Sequence, residues 1–328
     1  MGIRIPAKCA WGLLLLAVAA AGTGLAAWLA HRDSTGLEAF AKRLGYTCQR
    51  EGARFALASE DGRLLEMSVG EKRAVLDGTV VYLTYPVKEG WQGGGRVSDV
   101  DVETLLLPIL RPVPPAEGRA IRRIVLDPGH GGESEPGAEY GGVREKDLVL
   151  EVAARLSRRL GERGYQVLAT RNGDETVSLE RRTAFANGAE ADLFISIHFN
   201  ASDGTPFRGI ETYVANPAGT PSLRGAIGHV APSNAFDGEN ALLGYLVQRH
   251  LAARTGLVDQ GLKRVQFFVL RNVACPAFLA ECGCLSDPED FAVITQSAHW
   301  DAVADAIADA VDEFARCLAG HFAAQPPP

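Results

Sequence analysis

Basic residues are in deficit in this chain: 33 Lys and Arg stand against 40 Asp and Glu, a formal net charge of -7. Phosphate contacts need a basic surface, so nucleic acid is not an expected partner. The six cysteines form no C-x-x-C pair, which argues against a structural zinc-cysteine site. Cys9 lies in an apolar run, and the other five, Cys48, Cys275, Cys282, Cys284 and Cys317, are odd in number. An exported chain can hold a disulfide, but spacing does not choose its partners. The simpler reading of most of these thiols is a small buried hydrophobe. Also missing is a Ser/His or Cys/His motif that would demand a covalent nucleophile. With 47% hydrophobic and 22% charged residues the chain is ordinary globular protein, and 328 residues exceed one usual core, so two domains are expected.

Arg4 and Lys8 precede an apolar run from Cys9 to Ala30, interrupted only by small residues. Residues 1–33 therefore read as an export signal, with the N-terminus in the cytoplasm and the remainder outside. The run approaches the roughly 20 residues that span a bilayer, so residues 9–30 serve equally as a cleaved signal peptide or a retained membrane anchor. Residues 34–110 read as a small α+β accessory domain. GLEAFAKRLG is a short helix stopped by Gly45, RFALAS and RLLEMSV form one hairpin, and AVL and TVVYLTY form another. VSDVDVETLLLPIL closes the segment as a helix, with Asp99 or Asp101 as its cap. The stretch 111–119 is a stiff Pro-rich linker.

Beyond it, residues 120–322 alternate strands with helices, and 323–328 form a tail. IRRIVLD, YQVLATR, ADLFISIH, GIETYV, VQFFVL and PAFLAE read as six strands. The expected fold class is α/β: a twisted, mostly parallel sheet of about six strands with helices on both faces. In such sheets ligands gather beyond the carboxyl ends of the strands. Three stretches deliver metal-binding side chains there: LDPGHGG with His130, GGVREKDL with Glu145, and FISIHFNA with His198. Two imidazoles and one carboxylate are a donor set that zinc uses when a fourth position stays open. PAFLAECGCLSDPED adds Glu281 at the end of an apolar run, where a carboxylate is costly without a partner.

Taken singly, each of these residues has a plain structural explanation. A carboxylate in a first helical turn, as at Glu145, is stabilised by the helix dipole. A histidine ending a strand satisfies its own hydrogen bonds. It is the combination that carries weight.

In order and spacing, the four stretches resemble the zinc-dependent N-acetylmuramoyl-L-alanine amidases (amidase type 3) of bacterial cell-wall remodelling, over roughly residues 120–320. The first segment bears a slighter resemblance to the copper-amine-oxidase N-terminal-like domain. That likeness implies no copper, since no histidine lies between His31 and His130. The amidase resemblance implies one Zn2+ held by His130, Glu145 and His198, with Glu281 as the catalytic base. It also implies peptidoglycan as substrate, cut between N-acetylmuramic acid and L-alanine, and a place in the periplasm or cell envelope, with an activator protein as a further partner. Arg182 and Asn187 match the family's R-x-x-x-A-N pattern and Asn200 its H-x-N, as scaffolding or substrate contacts. Asp127 is expected to orient His130 from behind. ECGCLSD departs from the family's usual Gly-Phe pair, and Cys282 and Cys284 beside Glu281 raise the idea of a thiol nucleophile, to which the resemblance gives no role. Residues 215–240 form a long, turn-rich connection beside the groove. Two rival readings are a wall-binding or regulatory protein without turnover and a zinc peptidase cutting within the stem peptide.

Overall fold

A computed structural model of the chain describes residues 34–114, 119–202, 204, 206–222 and 228–320. The apolar run 9–30, part of the 111–119 stretch and the tail lie outside these residues. Among the described residues no helix is long and apolar enough to cross a membrane.

Eleven strands form one sheet. In chain order they are β1 (Thr47–Glu51), β2 (Arg54–Ala58), β3 (Leu64–Ser68), β4 (Arg73–Leu76), β5 (Thr79–Tyr82), β6 (Arg123–Pro128), β7 (Gln166–Ala169), β8 (Leu193–Asn200), β9 (Ile210–Ala215), β10 (Asp259–Val265) and β11 (Ala277–Cys284). Their spatial order is β7-β6-β8-β11-β9-β10-β5-β4-β3-β2-β1. The six strands of the second segment are parallel except at the β11–β9 contact. The five of the first segment form an antiparallel meander, and β10 joins β5 through Leu262 and Val81. The proline-rich stretch thus separates the two segments in the chain, not in the sheet.

Two local expectations give way. VQFFVL is not a strand: the strand is Asp259–Val265, and Phe268–Arg271 makes a helical turn. Short apolar runs fit either form, and here burial of the preceding DQGLKRV decided. The helical stretch after residue 98 is capped by Ser98, whose hydroxyl accepts from the Asp101 amide at 3.2 Å. The Asp101 carboxylate accepts instead from the amides of Thr84 and Tyr85.

Because strand residues alternate between faces, each face carries its own core. On one face Ile124, Leu126, Ile195, Ile197, Phe278 and Ala280 pack under α2 (Glu145–Glu162), α4 (Asp237–Thr255) and α6 (Ser297–Leu318), numbering α1 as Leu37–Leu44, α3 as Leu179–Gly188 and α5 as Pro288–Ile294. Leu148, Val152, Leu156 and Leu160 of α2 recur every four residues and are buried. Each full burial of this kind is worth about 1.5–3 kcal/mol. The other face has a smaller core of Val125, Phe194, Ala277, Leu279, Ala215 and Val265 with α3. Continuing along the same face toward the carboxyl ends of β6, β8 and β11, the side chains turn polar: Asp127, then Ser196 and His198, then Glu281.

Candidate metal centre and active site

After β6 the chain turns sharply. His130 adopts a positive φ of 58°, a conformation that L-residues rarely take, held here by the surrounding contacts. Arg182 of α3 donates to the carbonyls of Pro128 (2.8 Å) and His130 (2.6 Å), and Arg171 donates to those of Pro128 (2.9 Å) and Gly129 (2.6 Å). The loop is thus clamped by two buried guanidinium groups. Gly129 is needed for close approach: a Cβ there would lie 2.2 Å from the His198 ring.

Glu145 opens α2, with its amide bonded to the Ala138 carbonyl at 2.8 Å. Its carboxylate is buried and faces both imidazoles: Oε2 lies 3.2 Å from His130 Nε2 and Oε1 lies 2.9 Å from His198 Nδ1. Backbone amides of Ala138 (2.9 Å) and Phe199 (3.1 Å) donate to the two oxygens. Burial pushes this carboxyl up, but hydrogen bonds and charge from His130 and His198 outweigh it and hold Glu145 far below the usual carboxylate range. The two rings meet edge to face, with centroids 4.9 Å apart. The donor atoms of His130, Glu145 and His198 all lie within 4.8 Å of one another, a group able to hold a metal ion.

Glu281 is half-buried in β11, directly beside His198 in the parallel register. Both open onto a cavity of about 290 Å³ with His130, Glu135, Arg182 and the apolar walls Leu179, Phe267 and Phe268. A larger hollow of about 530 Å³, between Leu107, Phe236 and Leu318, holds none of these donors.

The remaining expected residues fall into place differently. Asp127 does not reach the His130 ring; its oxygens accept from Thr170 Oγ1 (2.6 Å), Arg182 Nη1 (2.7 Å) and Ser196 Oγ (2.9 Å). It therefore acts on the loop through Arg182. Asn187 bonds the carbonyl of Asn272 and the amide of Ala274, both at 2.8 Å, which pins the approach to β11 and not the cavity. Asn200 Nδ2 donates to Glu211 at 2.9 Å. Cys282 is fully buried on the opposite face, and burial, then repulsion from Glu281, raises its thiol far above the usual range. That is the reverse of what a thiolate nucleophile requires. Cys48, Cys275, Cys282, Cys284 and Cys317 are all free thiols.

Four charged residues escaped the sequence reading. Arg171, Lys146, Glu211 and Lys263 are all buried. For Glu211 and Lys263 the signal was charge at inward positions of strands, in GIETYV and QGLKRV.

A family model described as N-acetylmuramoyl-L-alanine amidase matches residues 124–313, more than half of the chain. The chain belongs to this family. Among curated amidases, LytC of Bacillus subtilis is 31% identical over 194 residues, 59% of this chain and 35% of LytC. CwlM of Bacillus licheniformis is 34% identical over 184 residues, covering 56% of this chain and 64% of CwlM. The chain thus spans a third to two thirds of these amidases. An uncharacterised Bacillus subtilis protein, YqiI, is 30% identical over 210 residues, 64% of this chain and 91% of YqiI. The amidase crystal structure from Clostridium difficile 630 superposes with a TM-score of 0.51 at 32% identity, covering 59% of this chain and 96% of that one. AmiC2 of Nostoc punctiforme gives 0.50 at 28% identity, with 59% and 96% covered.

Proposed function

We propose that this chain is a zinc-dependent amidase that hydrolyses the bond between the lactyl group of N-acetylmuramic acid and the L-alanine of peptidoglycan stem peptides. The observation that carries this reading is the convergence of His130, Glu145 and His198 beside Glu281 in one cavity. Zinc fits the donor set. Two imidazoles and one carboxylate are a set that would hold zinc with a fourth position open, and one donor atom from each of His130, Glu145 and His198 lies within 4.8 Å of the others. When bound, zinc supplies a Lewis acid that polarises the scissile carbonyl and acidifies a water molecule.

The protein residues do the rest. Glu145, already held ionised, keeps both imidazoles turned inward. Arg171 and Arg182 fix the loop that carries His130. Glu281 takes the proton of the attacking water and returns it to the departing L-alanine amine as the C–N bond breaks. Phe267, Phe268 and Leu179 give the cavity an apolar wall. Asn200 serves at the site's edge, and the curated cell-wall amidases support export to the periplasm or cell envelope.

The test is digestion of purified peptidoglycan by the full chain with zinc, beside a Glu281→Ala variant, with products identified by mass. Released whole stem peptides and intact glycan, absent with Glu281→Ala, are expected. A cut inside the stem peptide would transfer the reading to a peptidase, and no zinc-dependent product would leave a wall-binding protein.

A further inference from the structure

A second carboxylate, unused in the reaction above, stands next to Glu281. β9 runs antiparallel to β11 with Glu211 directly opposite Glu281. Opposed residues point to the same face with Cβ atoms about 4.5–5.5 Å apart. Glu211 is only 2% exposed. Two carboxylates this close in a water-poor site tend to resolve their repulsion by sharing a proton. Here the chain supplies another solution.

Lys263, on the next strand, forms an ion pair with Glu211 Oε1 and is itself buried. The other oxygen of Glu211 accepts from Asn200 Nδ2 (2.9 Å) and Tyr213 Oη (2.6 Å). Each of these partners of Glu211 is a donor, and together they engage both of its oxygens. The same ammonium lies over the rings of Tyr82 and Phe207, 5.3 and 5.9 Å from their centroids, so aromatic faces also hold the cation. Tyr82 belongs to the first segment, which thus closes the end of this polar row.

We propose that Lys263 is a positioning residue for the hydrolysis: by pairing with Glu211 it keeps that carboxylate from capturing Glu281, which stays in the cavity beside His198. The inference rests on the amidase reading of Glu281. Without the ammonium, Glu211 would be a buried anion facing a second carboxylate, and the two would share a proton that ties Glu281 to its neighbour. Asn200, two residues beyond His198, would lose a fixed acceptor at the same time.

The experiment is a double-mutant cycle in the full chain: Lys263→Met, Glu211→Gln and the two together, each followed by kcat, KM, bound zinc and thermal unfolding. Lys263→Met is expected to lower kcat by about 10-fold or more with KM within about twofold and zinc content unchanged, since the loss concerns proton transfer and not binding. Adding Glu211→Gln, which removes the stranded anion, should recover most of the lost kcat, and the Tm should fall and recover in the same pattern. Equal kcat in Lys263→Met and wild type, or a double variant no better than Lys263→Met in both turnover and Tm, would overturn the inference alone. A wild-type chain without turnover would overturn the amidase reading and this inference with it.

Discussion

Arg182 shows how much one side chain can carry. It is nearly inaccessible, pairs with the equally buried Asp127 at 2.7 Å, and supports the backbone on both sides of Gly129. Removing one partner of such a pair leaves an uncompensated charge inside the protein, at a cost of about 3–5 kcal/mol. Arg182→Ala is therefore expected to lower the unfolding free energy by that order and to weaken metal retention, read by urea denaturation and metal analysis. At this scale the convergence of His130, Glu145 and His198 was legible because each sits at a strand end or helix start with a recognisable surround. The partner of Asp127 was not. Thr170, Arg182 and Ser196 lie 43, 55 and 69 positions away in sequence, and only the parallel pairing of β6 with its neighbours brings them together. The same holds for Glu211 and Lys263, whose meaning depends on which strand lies beside β11.

Between elements, α4 and α6 are joined by Arg249 (2.5 Å) and His250 (2.9 Å) on Glu313. Burial raises the Glu313 carboxyl, but the His250 hydrogen bond and the charge of Arg249 more than reverse this, pushing it down to about 2 from an ordinary 4.5. The folded value lies below the unfolded one, so the stabilisation is complete above the ordinary value and is lost as pH falls from about 4.5 toward 2. Partial exposure keeps it modest. Glu313→Gln should cost about 1 kcal/mol or less near neutrality and flatten the acid limb of the unfolding curve, measured by Tm against pH. Helices α2 and α6 were readable from apolar residues at four-residue steps, since that period suits no strand. VQFFVL misled because so short a run, apolar at five of six positions, carries no clear period. The true strand, Asp259–Val265, hides behind two charged residues, Lys263 and Arg264, that are buried only because the sheet continues past them.

Across the whole molecule, the join between β10 and β5 matters most. Leu262 pairs with Val81, the Val80 amide donates to Asp259 at 2.8 Å, and Arg264 reaches across to Asp101 and Thr104. Gly261 allows the contact, since a Cβ there would lie 2.9 Å from the Val80 carbonyl oxygen. The main core includes Phe40, Leu57 and Leu105 of the first segment as well as residues of α2, α4 and α6. Both segments are therefore expected to unfold in one transition, with near-ultraviolet and far-ultraviolet signals coinciding. Asp101→Ala, which strands the buried Arg264, should lower that single transition by about 3–5 kcal/mol. Two well-separated transitions would refute this. The fold class was legible from alternating strands and helices, but the seam was not, because a one-bridge contact between distant strands leaves no periodic trace in sequence.

The sheet that crosses this seam also sets a length. From β11, which carries Glu281, to the outer strand β1 there are seven strand-to-strand steps, at most about 34 Å at about 4.8 Å per step. A twisted sheet resists compression along this direction. The first segment thereby holds its outer edge at a set distance from Glu281, because every strand between them is hydrogen-bonded to its neighbours.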